Sequence, residues 1–440
     1  MRSPDRTAST RIKVLDIELT RPLGSLRGLD GYAAVQGLVR ASGVPLGIVH
    51  VPLESGECSS RTLGQAVLQQ LEREMLAHLR EHGVSTTADA LHETPLNELL
   101  AGSPSVFEGP WPSVTVAVCT RDRPADLALC LDSVSAQNYP RLDLLVVDNA
   151  PGDDSTERLV ATEYPHARYA LEPRPGLNWA RNRAVIEAAG EIIAFTDDDV
   201  VVDPDWVRAI AAAFATAALD VMVVAGAVVP FEIETEAQLW FERYGGFTAG
   251  FDREQLRGSP EWGVRGVWHH ANMAQRFTGA NLAFRRRVFD EIGPFDPALD
   301  VGTPTNGGGD TEMLFRVLNE GFAVVHEPRA LVRHRHRREY RQLLHQISGW
   351  GTGYTAFLTR SAFAYPSAWW VLMLLGMRAV WLQVRRLVAS VVHSPGFPRR
   401  LLWTEMVGAL AGPICYWRSR RRARTLASGF AAGFNRLPSR

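Results

Sequence analysis

Three adjacent carboxylates, Asp197, Asp198 and Asp199, close the apolar run EIIAFTDDD that starts at Glu191. Acids this close repel one another at neutral pH unless a cation sits among them. Carboxylate oxygens suit a hard divalent ion such as Mg²⁺ or Mn²⁺. In strand-like alternation Asp197 and Asp199 face one way and Asp198 the other, so the pattern offers two outer carboxylates to a common ligand. A solvated turn whose acids cap the following helix, with Asp203 or Asp205 as the cap, is the competing reading.

Other chemistry-bearing residues recur at similar places. Thr120 and Arg121 end the run SVTVAVCT, and Asp148 and Asn149 end LDLLVVDN. Asp148 is placed to accept a hydrogen bond from a ligand, or else to form a turn with Asn149. Arg181, in NWARNRAVIEAAG, is permanently charged and able to bind an anion in a fork; a surface ion pair is its plain alternative. The glycine run of GGGDTEMLFR brings Asp310 and Glu312 onto an emerging helix, where the acids also suit the helix dipole. His334 follows the strand-like Leu331 and Val332, and His269 and His270 follow Trp268 in a loop.

The elements that must position these residues alternate as βαβ units over 113–345. The second strand starts about 30 residues after the first, the length of one crossover unit. Near-continuous apolar strands imply a parallel sheet covered on both faces, and such sheets bind ligands at the carboxyl ends of their strands. The polar residues above fall at those ends. Gly190 reads as the stop of the preceding helix. Ahead of this region IKVLDIEL reads as a strand. A helix follows with Leu63, Val67, Leu71, Met75 and Leu79 on one stripe, and a Pro- and Gly-bearing linker closes the block.

Composition bounds the rest. The chain has 440 residues, 46% hydrophobic and 22% charged, with a net charge of −1. That is a folded protein of about two domains, with no basic excess to suggest a nucleic-acid partner. Cys58, Cys119, Cys130 and Cys415 lack the paired spacing of a disulfide framework or zinc site. The first residues lack the apolar core of a signal peptide. These readings place the protein in the cytoplasm.

In their order, VTVAVCTRDRP, LLVVDN, RPGLNWARNRAVIEAAGEIIAFTDDDV, FTGANLAFRRRVFDEIGPFD and GGGDTEMLFRVLNEG resemble the motifs of the GT-A glycosyltransferases of family 2. The resemblance covers roughly residues 113–345, about half the chain. It implies a Rossmann-like, mostly parallel sheet with helices on both faces. It also implies transfer of a sugar, with inversion, from a nucleotide-diphosphate donor to a hydroxyl of a glycan or lipid-linked acceptor. Thr120, Arg121, Asp148, Arg181, Asp197 and Asp198 would contact the nucleotide sugar. Asp197, Asp199 and His334 would hold Mn²⁺ or Mg²⁺, which stabilises the departing diphosphate. Asp310 matches the general base. Gly279, Asn281 and Glu312 fall on the acceptor side. The family's acid pair is broken here, because Gly309 stands in the place of its first acid.

The expected division is an N-terminal α+β accessory block (1–110), the GT-A domain (111–345) and a C-terminal helical region (346–440). In the last, Trp-rich apolar stretches at 366–392 and 401–417 are interrupted by Arg, and WRSRRRAR follows. Such a composition suits the boundary of water and lipid. Peripheral attachment at the inner face of the cell membrane and a helical cap on the domain are both open. Two other functions compete with transfer. A sugar-phosphate nucleotidyltransferase would want a Gly-rich phosphate loop after the first strand, which CTRDRPADL lacks. A non-catalytic membrane-associated scaffold of the same fold is the other.

Overall fold

The computed structural model describes residues 11–84, 86–88, 91, 96–100, 109–247, 250–258, 277–392 and 397–434. Near the N-terminus, strands β1 (Ile12–Glu18), β2 (Ala34–Ala41) and β3 (Val44–Pro52) form a three-stranded sheet in the order β1-β2-β3. β1 and β2 are parallel, and β2 and β3 make an antiparallel hairpin. Ser42 and Gly43 turn that hairpin with φ of +50° and +79°, the left-handed pair that a two-residue loop requires. The helix Ser60–Glu81 starts at Ser59, whose side chain accepts the N–H of Thr62. Its expected stripe, Leu63, Val67, Leu71, Met75 and Leu79, is buried throughout and shares one core with Ile17, Val39 and Val49. Leu71 approaches so closely that a Cβ on Gly47 would lie 2.4 Å from its Cδ2.

The remaining strands are β4 (Val114–Thr120), β5 (Leu142–Asn149), β6 (Arg168–Glu172), β7 (Ile192–Asp197), β8 (Val200–Val202), β9 (Val221–Pro230), β10 (Glu254–Arg257), β11 (Asn281–Arg285) and β12 (Ala323–His334). They form a nine-stranded sheet in the order β10-β12-β9-β11-β7-β4-β5-β6, with β8 paired to β12. The neighbours β6, β5, β4 and β7 are parallel, as their unbroken apolar runs predict. β11 runs antiparallel to both β7 and β9, and β10 antiparallel to β12. The sheet is therefore mixed rather than parallel throughout.

Helices cover both of its faces. Ala117 and Cys119 of β4, Leu145 and Val147 of β5 and Ile193 and Phe195 of β7 share a core with Ala180 and Ala184 of the helix Leu177–Glu187 and Met313 and Leu314 of the helix Gly309–Asn319. Alternate residues turn to the other side. There Asn281 accepts from the indole of Trp206, and Arg285 lies over Phe214, both in the helix Trp206–Thr216. Each fully buried Leu, Phe or Val side chain contributes about 1.5–3 kcal/mol. The helix before β7 ends at Glu187, three residues before Gly190. Gly190 is instead required by a close approach, since its Cβ would lie 2.5 Å from the backbone nitrogen of Thr115.

Two compact units result, 1–109 with 227–253 and 333–340, and 110–226 with 254–332 and 341–440. The division falls inside β9 and β12, so segments of the expected catalytic stretch group with the N-terminal block. The C-terminal region is helical, as Tyr340–Ala364, Trp369–Val392 and Arg399–Phe434. Among the described residues, one helical stretch, Pro366–Val392, is long and apolar enough to cross a membrane by length and composition.

Candidate active site

Parallel pairing aligns the ends of three strands. Thr120 lies opposite Asp148 and Cys119 opposite Asp197, so the polar residues that end β4, β5 and β7 share one edge. The acid turn starts on β7 and divides as alternation predicts. Asp198 turns inward and accepts from the Thr120 hydroxyl at 2.8 Å and from Arg123 Nη1 at 3.2 Å. Arg123 Nη1 also reaches Asp199 Oδ2 at 3.2 Å. Asp197 and Asp199 each offer an oxygen, and His334 at the end of β12 a ring nitrogen, with the three atoms within 4.8 Å of one another. Two carboxylates and an imidazole are a donor set that fits a divalent first-row ion. Asp205 precedes the next helix without a side-chain cap bond.

The charge state of the turn supports the same fit. Burial, and then repulsion from Asp199, push the pKa of both Asp197 and Asp198 up. Arg181 opposes the rise at Asp197 and Arg123 at Asp198. Burial is the larger cause and mutual repulsion the second.

Asp148 is fully buried. Its Oδ2 accepts from the Tyr169 hydroxyl at 3.1 Å, and Oδ1 has no hydrogen-bond partner among the described residues. Burial raises its pKa to about 6, and the Tyr169 hydroxyl pulls against that rise. An orphaned buried acceptor costs free energy until a donor arrives. Asn149 accepts from the N–H of Gly176 at 2.9 Å and donates to the Arg174 carbonyl at 2.8 Å, pinning the next loop to the strand end. Thr120 is buried and its hydroxyl is used by Asp198, whereas Arg121 is half exposed beside Asp122.

Asp310 is the second residue of its helix, and both of its oxygens are fixed. Oδ2 accepts from the N–H of Gly279 at 2.8 Å and Oδ1 from that of Thr311 at 2.7 Å. Burial and then repulsion from Asp300 push its pKa up, while Arg181 lowers it. Gly279 is glycine because a Cβ there would lie 2.1 Å from Arg181 Nη2. Arg181 is not the surface ion pair that its sequence also allowed. It is buried, and Nη1 donates to Asp300 Oδ2 at 2.5 Å and to Asn178 Oδ1 at 3.1 Å.

Two acceptor-side expectations need correction. Glu312 is wholly buried, with Arg316 at 2.8 Å and Arg360 at 2.7 Å. The helix turns it inward beside Met313, Leu314 and Phe315. Asn281 is 2% exposed, and its side chain joins Trp206 to the carbonyl of Ala330, both at hydrogen-bonding distance (2.9 and 2.8 Å). It braces the sheet. His269 and His270 lie outside the described residues.

Sequence reasoning missed Arg123, Tyr169 and Asp300. Arg123 meets acids 75 and 76 residues away, and Asp300 meets an arginine 119 residues away. No periodicity announces such pairs. The left-handed backbone of Asp300, at φ +80°, was equally hidden.

An acid turn, an orphaned strand-end acceptor and a fixed carboxylate along one sheet define an α/β protein with a polar ligand site at its strand ends. Residues 115–293 match the family model described as glycosyl transferase family 2. The chain is 25% identical over 236 residues to the glucosyl-dolichyl phosphate glucuronosyltransferase of Haloferax volcanii, covering 50% of this chain and 69% of the relative. It is 26% identical over 249 residues to an N-acetylglucosaminyltransferase of Sinorhizobium fredii, covering 55% of this chain and 57% of the relative. A mannosyltransferase of Pyrobaculum calidifontis, solved with GDP-Man and Mn²⁺, is similar at 19% identity and a TM-score of 0.42, covering 74% of this chain and 84% of that one.

Proposed function

We propose that the protein transfers a glycosyl group, with inversion, from a nucleoside-diphosphate sugar to a hydroxyl of a glycan or lipid-linked acceptor. The observation that carries this reading is the acid turn that brings Asp197 and Asp199 together at the strand ends, inside the stretch that matches the family 2 model. Asp197, Asp199 and His334 would hold Mn²⁺ or Mg²⁺. Such an ion supplies positive charge to the diphosphate as it leaves. Asp148 accepts a hydrogen bond from the nucleoside through its orphaned Oδ1, and the Thr120–Arg121 loop and Arg181 lie on the donor side. Asp310 takes the proton of the acceptor hydroxyl. The acceptor oxygen bonds to the anomeric carbon from the face opposite the departing diphosphate, whose oxygen keeps the electron pair of the broken bond.

The C-terminal helices support contact with an anionic bilayer surface. Trp369, Trp381, Trp403 and Trp417 are between 44% and 59% exposed. Glu405 is the sole acid of residues 366–434, against ten arginines. Apolar side chains at the lipid boundary and cations at the headgroups would both be satisfied there. Sedimentation with vesicles containing phosphatidylglycerol, weakened by salt, is the expected result; equal recovery with neutral vesicles would remove the charge argument.

The deciding experiment offers UDP-Glc, UDP-GlcNAc, UDP-GlcA and GDP-Man, with and without Mn²⁺. One donor should raise Tm in a Mn²⁺-dependent way and release nucleoside diphosphate on turnover. Diphosphate release from a sugar phosphate and a nucleoside triphosphate would instead establish the nucleotidyltransferase.

A further inference from the structure

We propose that Asp300 is the positioning residue of the catalytic base: it supplies from the 296–306 loop the carboxylate that Gly309 lacks, and through Arg181 it fixes the surroundings of Asp310. This rests on Asp310 being the base, as argued above.

The geometry is specific. A Cβ built on Gly309 would lie 2.5 Å from Asp300 Oδ2 and 2.4 Å from Asn178 Nδ2. The space that a side chain at 309 would enter is already filled, and one of the groups filling it is a carboxylate. Asp300 is 6% exposed and is held there by its own left-handed backbone, with Oδ1 accepting from the N–H of Val301 at 2.8 Å. Its Oδ2 takes Arg181 Nη1 at 2.5 Å. Arg181 Nη2 lies against Gly279, and the N–H of Gly279 donates to Asp310 Oδ2. The order of contacts is Asp300, Arg181, Gly279, Asp310.

The arrangement has a chemical consequence. An unopposed guanidinium beside Asp310 would weaken it as a base, because a nearby cation favours the ionised carboxylate. Asp300 offsets that charge, and its repulsion of Asp310 acts in the same direction. A neutral residue at 300 would leave Arg181 free to turn toward Asp310 and form a direct pair. No other acid is needed at 309, and a glycine there is what the inserted carboxylate requires.

The test uses the full chain with Mn²⁺ and the donor panel above, reading nucleoside diphosphate release. Asp300→Asn should lower kcat tenfold or more with donor KM and the donor-induced rise in Tm unchanged. Asp300→Glu, which keeps a carboxylate beside Arg181, should recover at least tenfold over Asp300→Gly. Wild-type kcat in Asp300→Asn overturns the inference. So does an Asp300→Glu variant that folds without recovering turnover, and this arm decides the matter even if Asp300→Asn fails to fold. Asp310→Asn is the control. If it retains full activity, the base assignment itself fails; if it is inactive while Asp300→Asn is not, only the inference about Asp300 falls.

Discussion

Asp198 and Asp199, next to Asp197, pair with the guanidinium of Arg123, whose side chain is 39% exposed. Asp300 and Asp310 flank that of Arg181, whose side chain is 5% exposed. Both groups sit beside the same sheet in one fold, yet their charges are balanced differently. At the acid turn burial and mutual repulsion both disfavour ionisation of Asp197 and Asp198, a state relieved by a ligand that brings positive charge. The Asp310 group carries its own buried cation, which is what a fixed base requires.

The largest effect that would break this comparison is at Asp310. Asp310→Asn keeps the hydrogen-bond acceptor for Gly279 but cannot take a proton. Turnover should fall by about 10²–10⁴-fold, with the Mn²⁺-dependent rise in Tm on donor binding retained. Loss of donor binding in this variant would mean that the two acid groups are not separate in function.

Next is stability at the other member of the pair. Asp300→Ala leaves Arg181 buried without its closest partner, and breaking a buried pair on one side costs about 3–5 kcal/mol. Chemical denaturation should show that loss. A cost within about 0.5 kcal/mol, the range of an ordinary surface change, would show that Arg181 is neutralised by something other than Asp300.

Donor binding should also carry the proton of Asp148. The folded-state pKa is raised to about 6, so the acceptor is ionised above that value and protonated below it. Donor KM should therefore rise as pH falls through about 6. The change should be about tenfold or more, the scale of a hydrogen bond to a charged group. Asp148→Asn should have a high KM with that limb removed. Its persistence in the variant would assign the titration to the acid turn instead.

Much of this was legible in the sequence for identifiable reasons. Unbroken apolar runs mark β4, β5 and β7 because both faces of those strands are covered, and the polar residue that ends each run is where the strand leaves the core. The stripe from Leu63 to Leu79 was readable because one face of that helix is buried and the other is not. The antiparallel half of the sheet was not, since β11 and β9 are equally apolar and strand direction leaves no mark in composition. Glu312 was misplaced although a signal existed. Arg316 stands four residues on, within an apolar stretch, which is the spacing of a helical ion pair turned inward. Asn281 carried no such signal, because its partners Trp206 and Ala330 are distant in sequence.

The smallest predicted effect is the one that best separates the two groups, because its sign is reversed. Asp197→Asn removes one of the crowded charges that burial and repulsion disfavour. The ion-free protein should become more stable, by about 1 kcal/mol, as when a site's strain is relieved at the cost of function. The pH dependence follows from the same cause. An acid with a raised folded-state pKa binds its proton more tightly folded than unfolded, so ion-free wild type should lose stability as pH rises from the ordinary carboxylate range toward neutrality. The variant should show less of that loss, and Mn²⁺ should no longer raise its Tm. Denaturation with chelator and then with Mn²⁺, at pH 5 and pH 7.5, reads both effects. If Asp197→Asn destabilises the ion-free chain as Asp300→Ala does, the turn is a neutralised structural cluster after all, and the contrast between the two groups is lost.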